Sequence, residues 1–133
     1  MRIEIQKKAD LVSVLGEKLA TALIKSFRGD SNLVKRLPRV VHIVNSKPSF
    51  AVNDNGSLTA YRANLNTLEI EDSHYCGSGD STLNNLEAQL SVGGVPQRGN
   101  IVMFCETYWN GRNHSWTLTV VAHPEDVIQQ ITA

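Results

Sequence analysis

The sequence predicts an α+β fold: a mostly antiparallel sheet of about five to seven strands packed on an N-terminal amphipathic helix, with a short helix at the C-terminus. Three observations carry that prediction. Leu11, Leu15, Leu19, Leu23 and Phe27 recur every four residues, which is the spacing of one helix face. From residue 39 onward the chain turns to β-branched and aromatic runs broken by Asn, Asp and Gly, the texture of strands and turns. Asn110-Gly111 separates two such runs, and that dipeptide is the strongest short hairpin signal.

Taken in chain order, residues 2–6 alternate Ile3 and Ile5 with polar neighbours, as a short half-buried strand does. Asp10 is a suitable N-cap for a helix over residues 11–28, with Val12, Ala22 and Ile24 widening its apolar stripe and Gly29 closing it. Asp30 or Ser31 can start a second short helical turn that runs to Leu37 and ends at Pro38. Residues 39–45, RVVHIVN, read as a buried strand. SFAVNDNGSLTAYRAN reads as a hairpin with Gly56 left-handed, pairing Val52 with Leu58 and Phe50 with Ala60. LNTLEIED follows as a further strand, and HYCGSGDS is a loop by composition. Leu83, Leu86 and Leu90 have helical spacing, although 86–92 also alternates like a strand, and helix is preferred. Pro124 opens the C-terminal helix, with Glu125 and Asp126 in its first turn.

Length and composition limit the classes. The chain has 133 residues, which fits a single domain over 1–133 able to bury about two thirds of its unfolded surface. A hydrophobic content of 41% with 20% charged residues argues against a disordered chain. No apolar run approaches the roughly 20 residues that cross a bilayer, and the N-terminal residues lack the apolar stretch of a secretory signal. Two cysteines argue against a disulfide framework, so free thiols in a reducing cytoplasm are expected.

Net charge is zero, yet it is unevenly spread. Residues 1–47 hold ten Lys and Arg against four Asp and Glu, and residues 48–133 hold three against nine. A basic half can face a polyanion or an acidic half, within one chain or between copies.

A two-residue turn at Asn110-Gly111 sets an expected register: Trp109 opposite Arg112, Thr107 opposite His114, Cys105 opposite Trp116, Met103 opposite Leu118 and Ile101 opposite Val120. These ten share one face, whose base is apolar and whose tip carries Trp109 and Arg112 with His114 beside them. The other face carries Val102, Phe104, Glu106 and Tyr108 and, with Tyr61, is expected to be mixed, exposed or shared with a second copy. Trp, Tyr and Arg are the residue types that anchor interfaces. Tyr108, Trp109, Arg112 and His114 are therefore the candidate binding residues, whereas Cys105 reads as packing beside Trp116.

Chemistry-bearing candidates are fewer. Cys76 lies in a Gly-rich segment, and His114 begins a strand. VPQRGNIVMF followed by that strand resembles the proline–glycine strand and histidine-bearing strand of the NlpC/P60 and CHAP peptidases, with Asn100 where that family has Asp. The resemblance implies a Cys-His hydrolase with Cys76 as nucleophile and His114 as base. Glu69, Glu71, Asp72, His74, Cys76 and Asp80 match no metal-ligand spacing, so no metal or other cofactor is expected. GSGDST lacks the lysine of a phosphate loop. His42 reads as a hydrogen-bonded core residue and His123 as a helix cap. Lys18, Lys25 and Arg28 along one helix, continued by Lys35, Arg36 and Arg39, would give salt-dependent nucleic-acid binding.

The reading this supports is a small cytoplasmic, non-catalytic binding or adaptor protein, of the kind a phage or bacterium uses as an accessory. It self-associates and contacts a partner or ligand through the 108–116 hairpin tip. The hydrolase and the nucleic-acid binder stand as alternatives.

Overall fold

The computed structural model describes residues 1–26, 37–45, 57–77, 98–109, 114–123 and 125–126, with the backbone only at 74–77, 109 and 114. It is a mixed α+β structure. Six strands, β1 (Arg2–Glu4), β2 (Val40–Val44), β3 (Ser57–Asn64), β4 (Glu69–Gly77), β5 (Asn100–Trp109) and β6 (His114–Ala122), accompany helices α1 (Lys8–Leu15) and α2 (Glu17–Ser26). The sheet runs β1-β2-β6-β5-β3-β4. Every neighbouring pair is antiparallel except β2 and β6, which run parallel with Val41 opposite Leu118 and Ile43 opposite Val120.

One helix was expected over 11–28, and two are found. Gly16 separates them at φ 83°, ψ 160°, a region open to glycine and costly for other residues. Its N–H donates to the Val12 carbonyl, and its own carbonyl accepts from Ala20 N–H, so one residue ends α1 and starts α2. The four-residue leucine spacing survives this break: Leu11, Leu15, Leu19 and Leu23 are all buried. Asp10 is not the N-cap but sits in the first turn of α1. There its Oδ2 accepts the Gln6 and Lys7 backbone N–H groups at 2.9 and 3.1 Å, donors that a helix start leaves without intrahelical partners. These two bonds, Gln6 first, hold the Asp10 carboxyl below its usual pKa.

One face of the sheet joins both helices in a single apolar cluster. Val41, Ile43, Tyr61, Ala63, Ile101, Met103, Cys105, Trp116, Leu118 and Val120 gather there with Leu11, Val14, Leu15, Leu19, Ala20 and Leu23. Tyr61 therefore lies on the helix side, opposite Met103, and not beside Glu106 and Tyr108 as expected. Its hydroxyl reaches the Ser26 carbonyl at 3.5 Å. Lys18 ties α2 to the β3–β4 connection, donating to the Thr67 carbonyl at 2.9 Å and lying 3.6 Å from Glu69.

The centre of the second face is buried as well, where solvent exposure was one of the two alternatives expected. Val40, Leu58, Ala60, Val102, Phe104 and Val121 are at most 3% exposed, and none belongs to the cluster that holds the helices. His42 is on this face and only half-buried, between Arg2 and Thr119; it is not a core residue.

Residues 74–77, expected in a loop, extend β4. The hairpin strand at 49–53 and its turn, the helical turn at 30–36, the helix at 81–92, the hairpin turn 110–113 and the C-terminal helix past Asp126 lie outside the described residues. No helix among the described residues is long and apolar enough to cross a membrane.

Candidate functional site

The β5–β6 hairpin lies between β3 and β2 and is buried from Ile101 to Thr107 and from Trp116 to Ala122. Its register differs from the expected one. Trp109 pairs with His114, Thr107 with Trp116, Cys105 with Leu118, Met103 with Val120 and Ile101 with Ala122. The connection is thus four residues long, not two, and every pair has moved by two positions. A two-residue shift preserves the side on which each residue points. Cys105 and Trp116 consequently remain on the helix face, now as diagonal neighbours. Both registers satisfy the apolar pattern equally, so the pattern could not choose between them.

On the helix face the hairpin is sealed. Cys105 is fully buried, and burial pushes its thiol well above the ordinary range, which suits packing and not nucleophilic chemistry. Farther along, Thr107 Oγ1 accepts the Ser57 backbone N–H at 3.0 Å and shares a hydroxyl–hydroxyl bond with Ser57 at 2.7 Å. The Trp116 carbonyl accepts from Arg39 N–H at 2.7 Å, fixing the start of β2 beside the hairpin.

The second face is graded. Phe104 and Thr119 are opposite each other and buried, at 1% and 9% exposure. Glu106 and Thr117 come next at 7% and 6%. Tyr108 and Ser115 follow and are half-buried. Tyr108 donates its hydroxyl to Glu106 Oε1 at 2.5 Å. Burial, then this bond, raises the Tyr108 pKa, while the Thr117 hydroxyl and the nearby positive charge of Arg39 act in the other direction. Glu106 Oε2 has no hydrogen-bond partner among the described residues.

The candidate residues fall unevenly on this frame. Tyr108, Trp109 and His114 all lie at the end of the hairpin, Tyr108 opposite Ser115 and Trp109 and His114 as its last backbone pair; Arg112 lies outside the described residues. Cys76 and His114 are not brought together. Their strands have β3 and β5 between them, a separation of about 14 Å at the usual strand spacing, where a nucleophile and its base must be within hydrogen-bond reach. Cys76 itself falls at a register shift, between Tyr75 opposite Thr59 and Gly77 opposite Leu58. Lys18 is engaged with Thr67 and Glu69, Lys25 is exposed on α2, and Arg28, Lys35 and Arg36 lie outside the described residues. His123 Nδ1 accepts the Glu125 N–H at 3.4 Å, as a cap would. No three His, Cys, Asp or Glu among the described residues are placed to hold a metal ion.

The sequence pattern places Glu106 on the correct face but does not single it out as a buried acid with an unpartnered oxygen. The signal was a lone acid alternating with Phe104 and Tyr108 in a strand that is otherwise apolar or neutral. No protein-family model, curated protein or solved structure matches the chain.

Proposed function

We propose that this chain is a small non-catalytic binding protein that self-associates, and that its contact surface is the end of the β5–β6 hairpin, residues 108–116. The observation that carries this reading is the hairpin's construction. Two buried strands hold its end, and Tyr108 is pinned there by Glu106. A side chain already held in place, as Tyr108 is, loses little freedom on association, and Tyr, Trp and Arg are the side chains that concentrate interface energy.

The charge distribution supports association between copies. Among the described ion pairs only Lys18–Glu69 joins the basic first third of the chain to the acidic remainder. Arg2–Glu4, Lys8–Glu17, Arg62–Asp72 and Arg98 with Glu125 and Asp126 each stay within one part. Two cysteines in the whole chain fit a reducing compartment, and we place the protein in the cytoplasm.

Sedimentation over a range of protein concentrations tests the proposal. The mass is expected to rise with concentration, and the paired substitution Trp109→Ala and Arg112→Ala is expected to weaken association by roughly tenfold or more with the melting temperature retained. A protein that stays monomeric at high micromolar concentration overturns it.

A further inference from the structure

The hairpin end carries one unsatisfied acceptor of unusual placement. Glu106 is more than nine-tenths buried. Its Oε1 is occupied by Tyr108, while its Oε2 has no partner among the described residues, and no Lys, Arg or His there forms an ion pair with it. A buried carboxylate oxygen without a donor is destabilising, and such groups in folded proteins call for a functional explanation. Glu106 also lies one step inside the point where the face opens, since the next pair outward, Tyr108 and Ser115, is half-exposed.

We infer that the hairpin end takes a primary ammonium group, which enters beside Tyr108 and donates to Glu106 Oε2. This rests on the proposed binding role of that end and names the chemistry it selects. A guanidinium prefers to grip both oxygens of a carboxylate, and one is already taken. An ammonium is a compact charge with three donors. Oε2 is shielded from solvent, so one of the three reaches it only as the half-buried Tyr108 side chain gives way, and the hydroxyls of Thr117 and Ser115, on the same face of the neighbouring strand, are acceptors for the others. Arg39, whose charge is felt at Tyr108, is exposed and works against a second cation there, so Glu106 must supply the attraction. The group is either a lysine of a second copy or a free alkylamine.

The test is an NMR titration of the isotope-labelled protein with butylammonium chloride, with tetramethylammonium chloride as a cation that has no N–H donor. Saturable shifts at the amides of 106–108 and 115–117 are expected with butylammonium only. Glu106→Gln should weaken that binding at least tenfold. Tyr108→Phe, which frees Oε1 as a second acceptor, should strengthen it, so a poorly folded Gln variant does not end the test. If the ammonium is a lysine of a second copy, butylammonium also dissociates the oligomer and Glu106→Gln weakens association; if it is a free amine, the mass is unchanged. Absence of saturable shifts, equal binding by the Gln variant or equal binding of tetramethylammonium overturns the inference. If Trp109→Ala with Arg112→Ala abolishes association while Glu106→Gln and butylammonium change nothing, the contact surface stands and the ammonium site falls. If that pair leaves association intact, the contact surface itself is wrong.

Discussion

Tyr108 and Glu106 stand two residues apart on the same face of β5, joined by a 2.5 Å hydrogen bond from the phenol to Oε1. Removing the donor leaves both carboxylate oxygens without a partner. Tyr108→Phe is expected to destabilise the fold by about 1–3 kcal/mol, the cost of stranding a buried polar group. Replacing both residues, Glu106→Leu with Tyr108→Phe, should recover most of that loss, because apolar groups of similar shape need no partner. Urea unfolding of the two single variants and the double variant measures the coupling. Simple additivity would show that the bond contributes nothing.

What the sequence disclosed, and what it did not, divides along physical lines. Side-chain alternation and leucine spacing report which side of an element is buried, and those readings survive even where the backbone was misjudged. The Leu11 to Leu23 stripe is buried across a helix break, and Cys105 and Trp116 share a face despite a shifted register. Strand order is a long-range property, and nothing local announced that β2 would run parallel to β6. The glycines after Cys76 predict a loop there, yet β3 supplies a partner that extends the strand to Gly77. Glu106 was legible as an oddity, but alternation tells which side a residue is on and not how deeply that side is buried.

Gly16 separates local strain from steric fit. A Cβ built there meets nothing within 4 Å, so any cost of Gly16→Ala comes from the backbone. At φ 83° and ψ 160° that cost is expected to be about 1–3 kcal/mol. Should alanine prove neutral or stabilising in thermal unfolding, α1 and α2 are one continuous helix in solution.

Cys105 is expected to be unreactive in the folded protein. Its thiol is fully buried and shifted upward by that burial, and the thiolate is the reactive form. In a Cys76→Ser background, Ellman's reagent at pH 8 should label Cys105 only as fast as the protein unfolds, and fully in denaturant. Rapid labelling under native conditions would mean that the helix face of the hairpin is open.

Tyr61 sets an alkaline limit. Burial first, then the neighbouring Cys105, raises its pKa from 10.0 to about 12. The folded state therefore favours the neutral phenol. Its contribution is fully present below pH 10 and is lost as the pH rises from there through about 12. Absorbance at 295 nm should show a late tyrosinate step that Tyr61→Phe removes, and the variant's stability should fall less steeply over that interval. If every tyrosine ionises near pH 10 while the protein is still folded, Tyr61 is not buried under the helices.

Asp126 closes the entry to β5 from the far end of the chain. It is 3% exposed, and its Oδ2 accepts the Gly99 N–H at 2.9 Å while its Oδ1 accepts Arg98 Nε at 3.3 Å. Gly99 has φ 86°, a left-handed turn that aims its N–H at the carboxylate just before the strand begins. Arg98 also reaches Glu125 at 2.7 Å, but that pair is exposed on both sides. The two acids should therefore respond very differently to substitution. Glu125→Gln is expected to change stability by about 0–1 kcal/mol, as exposed ion pairs do. Asp126→Ala is expected to cost about 2–4 kcal/mol, since it strands a backbone donor and removes charge-assisted bonds from a buried position. Asp126→Asn, whose amide oxygen can still accept from Gly99, should fall between them. Thermal unfolding of the three variants decides the matter: equal effects at 125 and 126 would mean that the carboxylate does not hold the turn, and that β5 starts without it.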